Sequence, residues 1–308
     1  MFHKKNLLTC KDLSKEQIYD LFVNTEHIAT NPSDGRSQSI DCKDESIHFV
    51  NQNIILVNAF FEPSTRTSLS FECAVGRLGG KTISFNKDVS SLKKGESFED
   101  TIRTLSTYGD ILVVRHPEKG MVQKAAEVST IPVINAGDGN GEHPTQALLD
   151  LYTMYQKWGE DLFTDNFNKK ILFIGDIKNS RTIHSLLDLL KLFPTIETDF
   201  LPYEGLSLDD NTNSRSSLNS IDFSSFDVIY CTRLQKERES RDNLRVDFVV
   251  DNEFLKKLND DCMIMHPLPR NNEINPEIDN DKRVYYFKQM ENGVIVRKNL
   301  IKKILKVI

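Results

Sequence analysis

The sequence predicts an α/β protein of two domains, each a parallel β-sheet flanked by helices. Short apolar runs alternate with segments of helical periodicity along nearly the whole chain, which is typical of parallel sheets. Polar residues that could carry chemistry follow directly after the apolar runs, where such sheets bind ligands. At 308 residues the chain is long enough for two domains of ordinary size.

The first half begins with a helix and continues with strands. Ser14 and Gln17 have the spacing of a capping box, and apolar residues then follow one helical face. Three apolar runs predict strands, at 54–61, 111–114 and 132–135. Helices are predicted from Thr65 to the glycines at 79–80 and over 145–158. The polar segment 31–46, which contains Pro32 and Gly35, predicts a loop.

The second half repeats this alternation. Strands are predicted at 170–174, 198–201, 227–231 and 263–265. Helices are predicted at 182–192, at 253–258 and, with one apolar side, at 293–308. Two segments predict surface loops because they lack apolar residues or are dominated by charge, 211–217 and 236–245.

Composition excludes several classes of protein. The formal net charge of −6 disfavours a nucleic-acid partner, and no apolar run approaches the length of a membrane helix. The N-terminal Met1-Phe-His-Lys-Lys lacks the apolar core of a secretory signal, so we expect no export. Five cysteines without a C-x-x-C spacing argue against a disulfide framework and a zinc site, and we therefore expect a reducing cytoplasm.

The segment at residues 60–72 is the strongest candidate for binding an anion. Pro63 breaks the preceding strand, and Ser64 is a favoured N-cap residue. The N–H groups of Thr65, Arg66 and Thr67 would then lie in a first helical turn, which binds phosphate readily. Arg66 adds a full charge with bidentate geometry. The alternative is an ordinary capped surface helix.

Three further residues could act on a small carbonyl compound near this turn. Arg115 ends a predicted strand, and in a parallel sheet it would lie beside the turn; alone, it would be read as a surface ion-pair partner. His143 and Gln146 lie three residues apart at the start of a helix, so both can face one point. They could polarise a carbonyl and an amide, although a lone histidine before Pro144 is more often a capping or core residue.

The second half offers two arginines that could bind carboxylates. Arg181 follows a strand-to-helix loop that has one glycine and no G-x-G-x-x-G, so dinucleotide binding is poorly supported. Arg233 and Gln235 follow another strand. Either arginine alone would be a routine surface charge. Together they suit a dicarboxylic amino acid.

Three motifs resemble those of the carbamoyltransferases, in the expected order. They are Ser64-Thr65-Arg66-Thr67, His143-Pro144-Thr145-Gln146 and His266-Pro267-Leu268-Pro269-Arg270. The third motif has the form seen in the catalytic chains of aspartate carbamoyltransferases; ornithine carbamoyltransferases typically carry Cys at the position of Pro267. The resemblance covers nearly the whole chain.

The resemblance implies an architecture and an activity. It implies a carbamoyl phosphate-binding domain at 1–143, completed by the helix at 293–308, an aspartate-binding domain at 144–292, and an active site between them. It implies transfer of a carbamoyl group to aspartate in pyrimidine synthesis, without metal or cofactor, by a homotrimer that shares its sites between subunits. The sequence leaves open whether a separate regulatory chain binds.

The resemblance also implies roles for individual residues. Carbamoyl phosphate would contact Ser64, Thr65, Arg66, Thr67, Ser90, Lys94, Arg115, His143, Gln146, Pro267 and Leu268. Aspartate would contact Lys94, Arg181, Arg233, Gln235 and Leu268. Catalysis would depend on Arg66, Lys94, Arg115 and His143. Ser91 replaces Ser90 if the alignment slips by one residue, and the loop that carries Lys94 would reach a neighbouring subunit; composition alone indicates only an exposed basic loop.

Three alternatives stay open on the sequence alone. An ornithine carbamoyltransferase is the nearest, but Arg181 and Arg233 oppose it because a cationic substrate side chain would meet arginine. A nucleotide-binding oxidoreductase would share the pattern of parallel sheets but needs a glycine-rich turn. A catalytically silent scaffold chain would keep the fold and lose turnover.

Overall fold

The computed structural model describes residues 5–29, 53–208, 221–235 and 248–306. The loops predicted at 31–46, 211–217 and 236–245 lie outside these residues. The chain divides into two compact units. Unit 1 consists of Met1–Leu148 and Asn292–Ile308, and unit 2 of Leu149–Glu291.

Unit 1 contains a four-stranded parallel sheet with the strand order β2-β1-β3-β4. Its strands are β1 (Ile55–Phe60), β2 (Lys81–Asn86), β3 (Ile111–His116) and β4 (Val133–Asp138). The helices that begin in unit 1 are α1 (Lys15–Ala29), α2 (Arg66–Gly76), α3 (Phe98–Ser106), α4 (Met121–Val128) and α5 (Pro144–Trp158). The alternation predicted for this half of the chain is therefore confirmed.

Unit 2 contains a second four-stranded parallel sheet, with the order β6-β5-β7-β8. Its strands are β5 (Lys169–Gly175), β6 (Ile196–Pro202), β7 (Val228–Cys231) and β8 (Met263–Met265). Its helices are α6 (Arg181–Leu190), α7 (Asn252–Leu255) and the first part of α8 (Tyr286–Leu305). The fold class is thus confirmed as two parallel sheets, each with helices.

Each unit has its own apolar core. Val57, Leu112 and Val114 of the first sheet pack with Ile102 of α3 and Val122 of α4. In unit 2 a larger cluster combines strand residues such as Leu172 and Ile229 with aromatic side chains. Each fully buried Val, Leu or Ile contributes about 1.5–3 kcal/mol to folding, so each sheet is stabilised by a cluster within its own unit.

Some elements differ from the sequence prediction. The strand β2 and the helices α3 and α4 were not predicted. Most residues of β2 are exposed, so it shows no buried face from which a strand could be read. Helix α7 is shorter than predicted, and α8 begins at Tyr286, before the predicted start at residue 293. No described helix is both long and apolar enough to span a membrane.

The four described cysteines are free thiols. Cys10, Cys231 and Cys262 are buried, whereas Cys73 is exposed on α2. Burial raises the pKa of Cys262 to about 12, and burial raises the pKa of Cys231 as well. These two thiols are therefore inert core residues at neutral pH.

Gly175 is the position where the end of β5 meets the ends of its neighbours. Its φ is +117°, and a Cβ placed there would lie 2.2 Å from the carbonyl oxygen of Thr232. The Thr232 N–H donates to Ile174 O over 2.9 Å, and the Tyr203 N–H donates to Gly175 O over 3.0 Å. Only glycine allows this approach without moving the backbone after β7.

We predict that Gly175→Ala lowers the free energy of unfolding by about 2 kcal/mol or more, because it adds a backbone clash to an unfavourable φ. Urea denaturation measures the change. Gly76→Ala is the matched control: a Cβ at Gly76, in α2, meets nothing within 4 Å. We expect that control to be neutral or stabilising. Equal unfolding midpoints for the two variants would contradict this account of Gly175.

Candidate active site

The phosphate turn, Ser64–Thr67, lies after β1 at the start of α2. Helix α2 begins at Arg66, and Thr65 precedes it in a right-handed helical conformation. The Leu69 N–H donates to Thr65 O over 3.1 Å, whereas Thr65 makes no side-chain capping hydrogen bond. The prediction that Ser64 is the N-cap is therefore wrong. Thr65 therefore gives this end of the helix no side-chain cap, and a helix N-terminus of this kind suits an anion.

Arg115 lies next to the phosphate turn because β1 pairs in parallel with β3. Phe60 is in register with Arg115, and the Phe61 N–H donates to Arg115 O over 2.8 Å. Arg115 Nε donates to Glu62 Oε1 over 2.6 Å, and both side chains are less than one fifth exposed. Glu62 is thus a site residue that the sequence analysis missed, although it lies inside the motif at 60–72. Its carboxylate fixes the orientation of the guanidinium.

His143 and Thr67 come together although they are far apart in the chain. His143 precedes α5 and is 3% exposed, and its Nε2 lies 3.4 Å from Thr67 Oγ1. The Gln146 N–H donates to His143 O over 2.9 Å, and Gln146 is also buried. The start of α5 therefore presents an imidazole beside the phosphate turn, with the buried Gln146 three residues further along the chain. These groups can polarise a carbonyl bound there.

His116 has a structural role in the same unit. Its Nδ1 accepts the Glu118 N–H over 3.0 Å. Its ring packs against Phe61 and Phe98 at centroid distances of 5.3 and 5.4 Å. Burial lowers the pKa of His116, so the imidazole is neutral and serves packing.

The predicted basic loop follows β2 and includes a 3₁₀ turn at Ser91–Lys94. Ser90 Oγ donates to Lys87 O over 2.8 Å, and Lys87 Nζ donates to Phe61 O over 2.7 Å. Lys87 therefore ties this loop to the strand end before the phosphate turn. Lys94 is exposed, and no polar contact to its ammonium is found among the described residues. Among the described residues, no hydrogen bond or ion pair joins Lys94 to the phosphate turn, Arg115 or His143.

In unit 2, one buried carboxylate connects the loops that carry the predicted aspartate contacts. Asp176 is fully buried and accepts the Asn179 N–H over 3.0 Å and the Gln235 N–H over 3.0 Å. Strands β5 and β7 are neighbours, so the loops after them lie at the same edge of the sheet. Arg181 begins α6 and is 7% exposed. Arg233 is half-buried, and its Nη1 donates to Leu234 O over 3.1 Å.

The third motif, at 266–270, is held by a buried histidine and glutamate. His266 Nδ1 accepts the Leu268 N–H over 2.8 Å, so Nε2 carries the proton and donates to Glu273 Oε1 over 2.9 Å. Glu273 Oε1 also accepts the Asn271 N–H over 2.9 Å. Leu268 has a φ of +51°, in the left-handed region. The pair His266–Glu273 therefore stabilises an uncommon backbone conformation in which Pro267 and Leu268 are half-buried.

Arg270 anchors the other end of the third motif. Its Nη2 donates to Asp279 Oδ2 over 2.6 Å, and its Nη1 to Tyr286 Oη over 2.9 Å. The hydrogen bond from Arg270 holds the pKa of Asp279 below its ordinary value. Arg270 is thus committed to structural contacts within unit 2.

A chain of buried hydrogen bonds supports the same motif from behind. The His266 N–H donates to Gln289 Oε1 over 2.8 Å, and Gln289 Nε2 donates to Asp150 Oδ1 over 2.8 Å. Tyr230 Oη donates to Asp150 Oδ2 over 2.7 Å. Burial, together with the charge of Asp150, raises the pKa of Tyr230, so the phenol remains a donor. Asp150 and Gln289 were missed by the sequence analysis, because each acts through contacts between separate elements.

We predict that Glu273→Gln lowers the free energy of unfolding by about 1–2 kcal/mol at pH 7, because a charge-assisted hydrogen bond becomes a neutral one. Burial opposes ionisation of Glu273, but hydrogen bonds from His266 and Asn271 hold its pKa below the ordinary 4.5. A group whose pKa is lower in the folded state stabilises the folded protein at pH values above its unfolded-state pKa. This stabilisation is lost as the pH falls through the folded-state pKa.

The difference in the free energy of unfolding between wild type and Glu273→Gln should therefore be constant from neutral pH to 4.5 and shrink below pH 4.5. Thermal unfolding across this pH range measures it. Glu253→Gln is the control, since Glu253 is 76% exposed in a surface pair with Lys256. A difference that grows on acidification would refute the assignment.

Comparison with known proteins agrees with both halves of this description. Residues 5–156 match the family described as Aspartate/ornithine carbamoyltransferase, carbamoyl-P binding domain. Residues 167–304 match the family described as Aspartate/ornithine carbamoyltransferase, Asp/Orn binding domain. Together the two matches span most of the chain.

Similar proteins include both separate subunits and parts of longer proteins. The aspartate carbamoyltransferase catalytic subunit of Clostridium novyi is 38% identical over 320 residues, which covers 99% of each chain. Multifunctional protein ura1 of Schizosaccharomyces pombe is 39% identical over 316 residues, which covers 97% of this chain but only 13% of that protein.

A solved structure shares the fold over the whole length. Aspartate transcarbamoylase from Trypanosoma cruzi, in complex with carbamoyl phosphate and aspartate, superposes with a TM-score of 0.86 at 32% identity. The match covers 99% of this chain and 98% of that chain. From these matches, together with the motifs and the two parallel sheets, we conclude that this chain belongs to the aspartate/ornithine carbamoyltransferase family.

Proposed function

We propose that this protein is an aspartate carbamoyltransferase catalytic chain, which transfers the carbamoyl group of carbamoyl phosphate to the amine of L-aspartate. The products are N-carbamoyl-L-aspartate and phosphate, in a step of pyrimidine synthesis. The observation that carries the proposal is the convergence in unit 1 of the phosphate turn, Arg115 and His143. The structure of the Trypanosoma cruzi relative with both substrates supports it.

Unit 1 supplies the residues for carbamoyl phosphate. The phosphate group binds the first-turn N–H groups of α2, the hydroxyls of Ser64, Thr65 and Thr67, and the charge of Arg66. Arg115, oriented by Glu62, contacts both the phosphate and the carbamoyl oxygen. His143 donates to the carbamoyl oxygen, and Gln146 binds the carbamoyl nitrogen.

Unit 2 supplies the residues for aspartate. Arg181 and Arg233 follow adjacent parallel strands and bind one carboxylate each. Gln235, whose backbone is fixed by Asp176, assists. From the third motif, Leu268 contacts aspartate, and both Pro267 and Leu268 contact carbamoyl phosphate; His266 holds Leu268 in place.

The chemistry is acyl transfer by positioning and electrostatics. The aspartate amine forms a bond to the carbamoyl carbon, and the bond from that carbon to the phosphate oxygen breaks with its electrons going to phosphate. His143 and Arg115 stabilise the negative charge that develops on the carbamoyl oxygen. The leaving phosphate accepts the amine proton, since none of the proposed contacts is an obvious general base.

Electrostatics favours these substrates over cationic ones. Carbamoyl phosphate carries about two negative charges near neutral pH, as other phosphate monoesters do, and the carboxylates of aspartate add two more. Arg66, Lys94, Arg115, Arg181 and Arg233 supply positive charge in a chain whose formal net charge is −6. An ornithine side chain would instead meet arginine.

Purified protein offered aspartate and ornithine side by side should carbamoylate aspartate, and turnover of ornithine alone would overturn the proposal. We predict that Arg66→Ala mainly raises the KM for carbamoyl phosphate and that Arg233→Ala mainly raises the KM for aspartate. Loss of a charged contact to substrate costs about 10–100-fold in kcat/KM. Steady-state kinetics with both substrates varied separates the two effects. Normal kinetics of both variants would contradict the residue assignments.

We further propose a cytoplasmic homotrimer in which the loop that carries Lys94 serves the site of a neighbouring subunit. The exposure of Lys94 and the tether through Lys87 support this assignment. Ser90 then contacts the phosphate, with Ser91 as the alternative.

At carbamoyl phosphate concentrations well below the raised KM, Lys94→Ala and Arg66→Ala should each have low activity alone, and mixed assemblies of the two should regain part of the activity. Activity returns because some sites then combine an intact Arg66 with an intact Lys94 from the neighbouring chain. Refolding the two variants together, followed by an assay and a mass measurement, tests this. Mixed trimers without recovered activity would show that Lys94 acts within its own chain.

A further inference from the structure

Arg297 is a buried cation on α8 within unit 1. It is 3% exposed. Its Nη1 donates to Ser70 Oγ over 2.8 Å, and its Nη2 donates to Thr145 Oγ1 over 3.2 Å. Its guanidinium carbon lies 5.1 Å from the centroid of the Phe71 ring. A single side chain therefore contacts both α2 and the start of α5.

Both hydroxyls that Arg297 contacts are close to proposed substrate contacts. Ser70 Oγ donates to Thr67 O over 2.9 Å, at the end of the phosphate turn. Thr145 lies between His143 and Gln146 in the sequence, and it is fully buried. Thr67 Oγ1 in turn lies 3.4 Å from His143 Nε2. Together with the short chain segment that joins His143 to Thr145, these contacts close a ring through Arg297, Ser70 and Thr67.

The chemistry of this position favours a geometric role. Burying a guanidinium costs free energy that an apolar side chain of similar volume would not cost. Arginine, however, has a rigid, planar set of donors that can hold two acceptors at a fixed separation. The two acceptors here belong to the two helices that supply the phosphate turn and the imidazole.

We propose that Arg297 is a positioning residue for carbamoyl phosphate. By bracing α2 against the start of α5, it sets the distance between the phosphate turn and His143, and it acts through Ser70 and Thr145 without touching substrate. The inference rests on the proposed carbamoyl transfer, because that reaction requires the phosphate and the carbamoyl oxygen to be held at one separation. A small misplacement of such groups is costly in rate.

The test compares Arg297→Met with Arg297→Lys in the intact chain. We expect Arg297→Met to raise the KM for carbamoyl phosphate and the inhibition constant of inorganic phosphate by about tenfold or more, with the KM for aspartate unchanged. Arg297→Lys keeps the charge but cannot span both hydroxyls, so we expect a partial effect. A merely structural role would reduce the amount of folded protein and leave both KM values as they were.

Val296→Ala is the matched control on the same helix. Val296 is fully buried, so its truncation should lower the unfolding temperature without changing the KM for carbamoyl phosphate. If Arg297→Met fails to fold, Ser70→Ala and Thr145→Val replace it, since each removes one of the two contacts. Each substitution should raise the KM for carbamoyl phosphate, and the double variant should raise it more than either single variant.

The outcomes separate this inference from the proposed function. Suppose that the wild type is active and that a folded Arg297→Met variant has a KM for carbamoyl phosphate within about twofold of the wild-type value. This result would overturn the inference but not the proposed function. The same result for the combined Ser70→Ala and Thr145→Val variant would have the same meaning. An equal rise of both KM values would do the same. A folded wild type without carbamoyl transfer to aspartate would overturn the proposed function and the inference with it.

Discussion

The parallel pairing of β1 with β3 and of β5 with β7 is the constraint on which the rest of the site depends. Parallel strands end at the same edge of a sheet, so the loops that follow them gather there. The pairing of Phe60 with Arg115 puts a guanidinium beside the phosphate turn. In unit 2 the same arrangement brings the loops after β5 and β7 close enough to share Asp176.

Buried polar contacts fix the side chains and loops that this pairing gathers. Glu62 orients Arg115, Asp176 joins two loops, and Glu273 holds His266. Each of these carboxylates is costly to bury unless it is hydrogen-bonded. A site that works by electrostatics must be organised before substrate arrives, since reorganisation during the reaction would consume the stabilisation. The cost of burying these groups is therefore consistent with the chemistry proposed for the site.

The sequence predicted the parts of the fold that have a strong local signal. Buried strands such as β1 and β5 and the amphipathic end of α8 follow hydrophobic periodicity, and the edge strand β2, being exposed, has none. Helix α2 begins at Arg66 with Thr65 as its N-cap, one residue later than the local preference for Ser64 as a cap predicts. Element ends are uncertain by one or two residues when they are read from a sequence, because the cap geometry is known only from the structure.

The residues of the candidate site also fall into two groups, those that the sequence predicts and those that it does not. Residues in continuous motifs, such as Ser64–Thr67 and 266–270, could be found from the sequence. Their supporting partners Asp150, Glu273 and Gln289 could not, because their roles arise from contacts between separate elements. An isolated carboxylate or amide in a sequence carries no sign of the hydrogen bond it will accept or donate.

The cysteine thiols differ in burial, so one of them can be labelled selectively. Cys10, Cys231 and Cys262 are sealed in the interior, whereas Cys73 faces outward on the helix that begins with the phosphate turn. Once Cys42, outside the described residues, is replaced by serine, a maleimide fluorophore added at an equimolar ratio would attach to Cys73 and leave the interior thiols unmodified. The emission of the dye would then test directly whether an anion occupies the phosphate site proposed at the start of that helix, without a coupled assay.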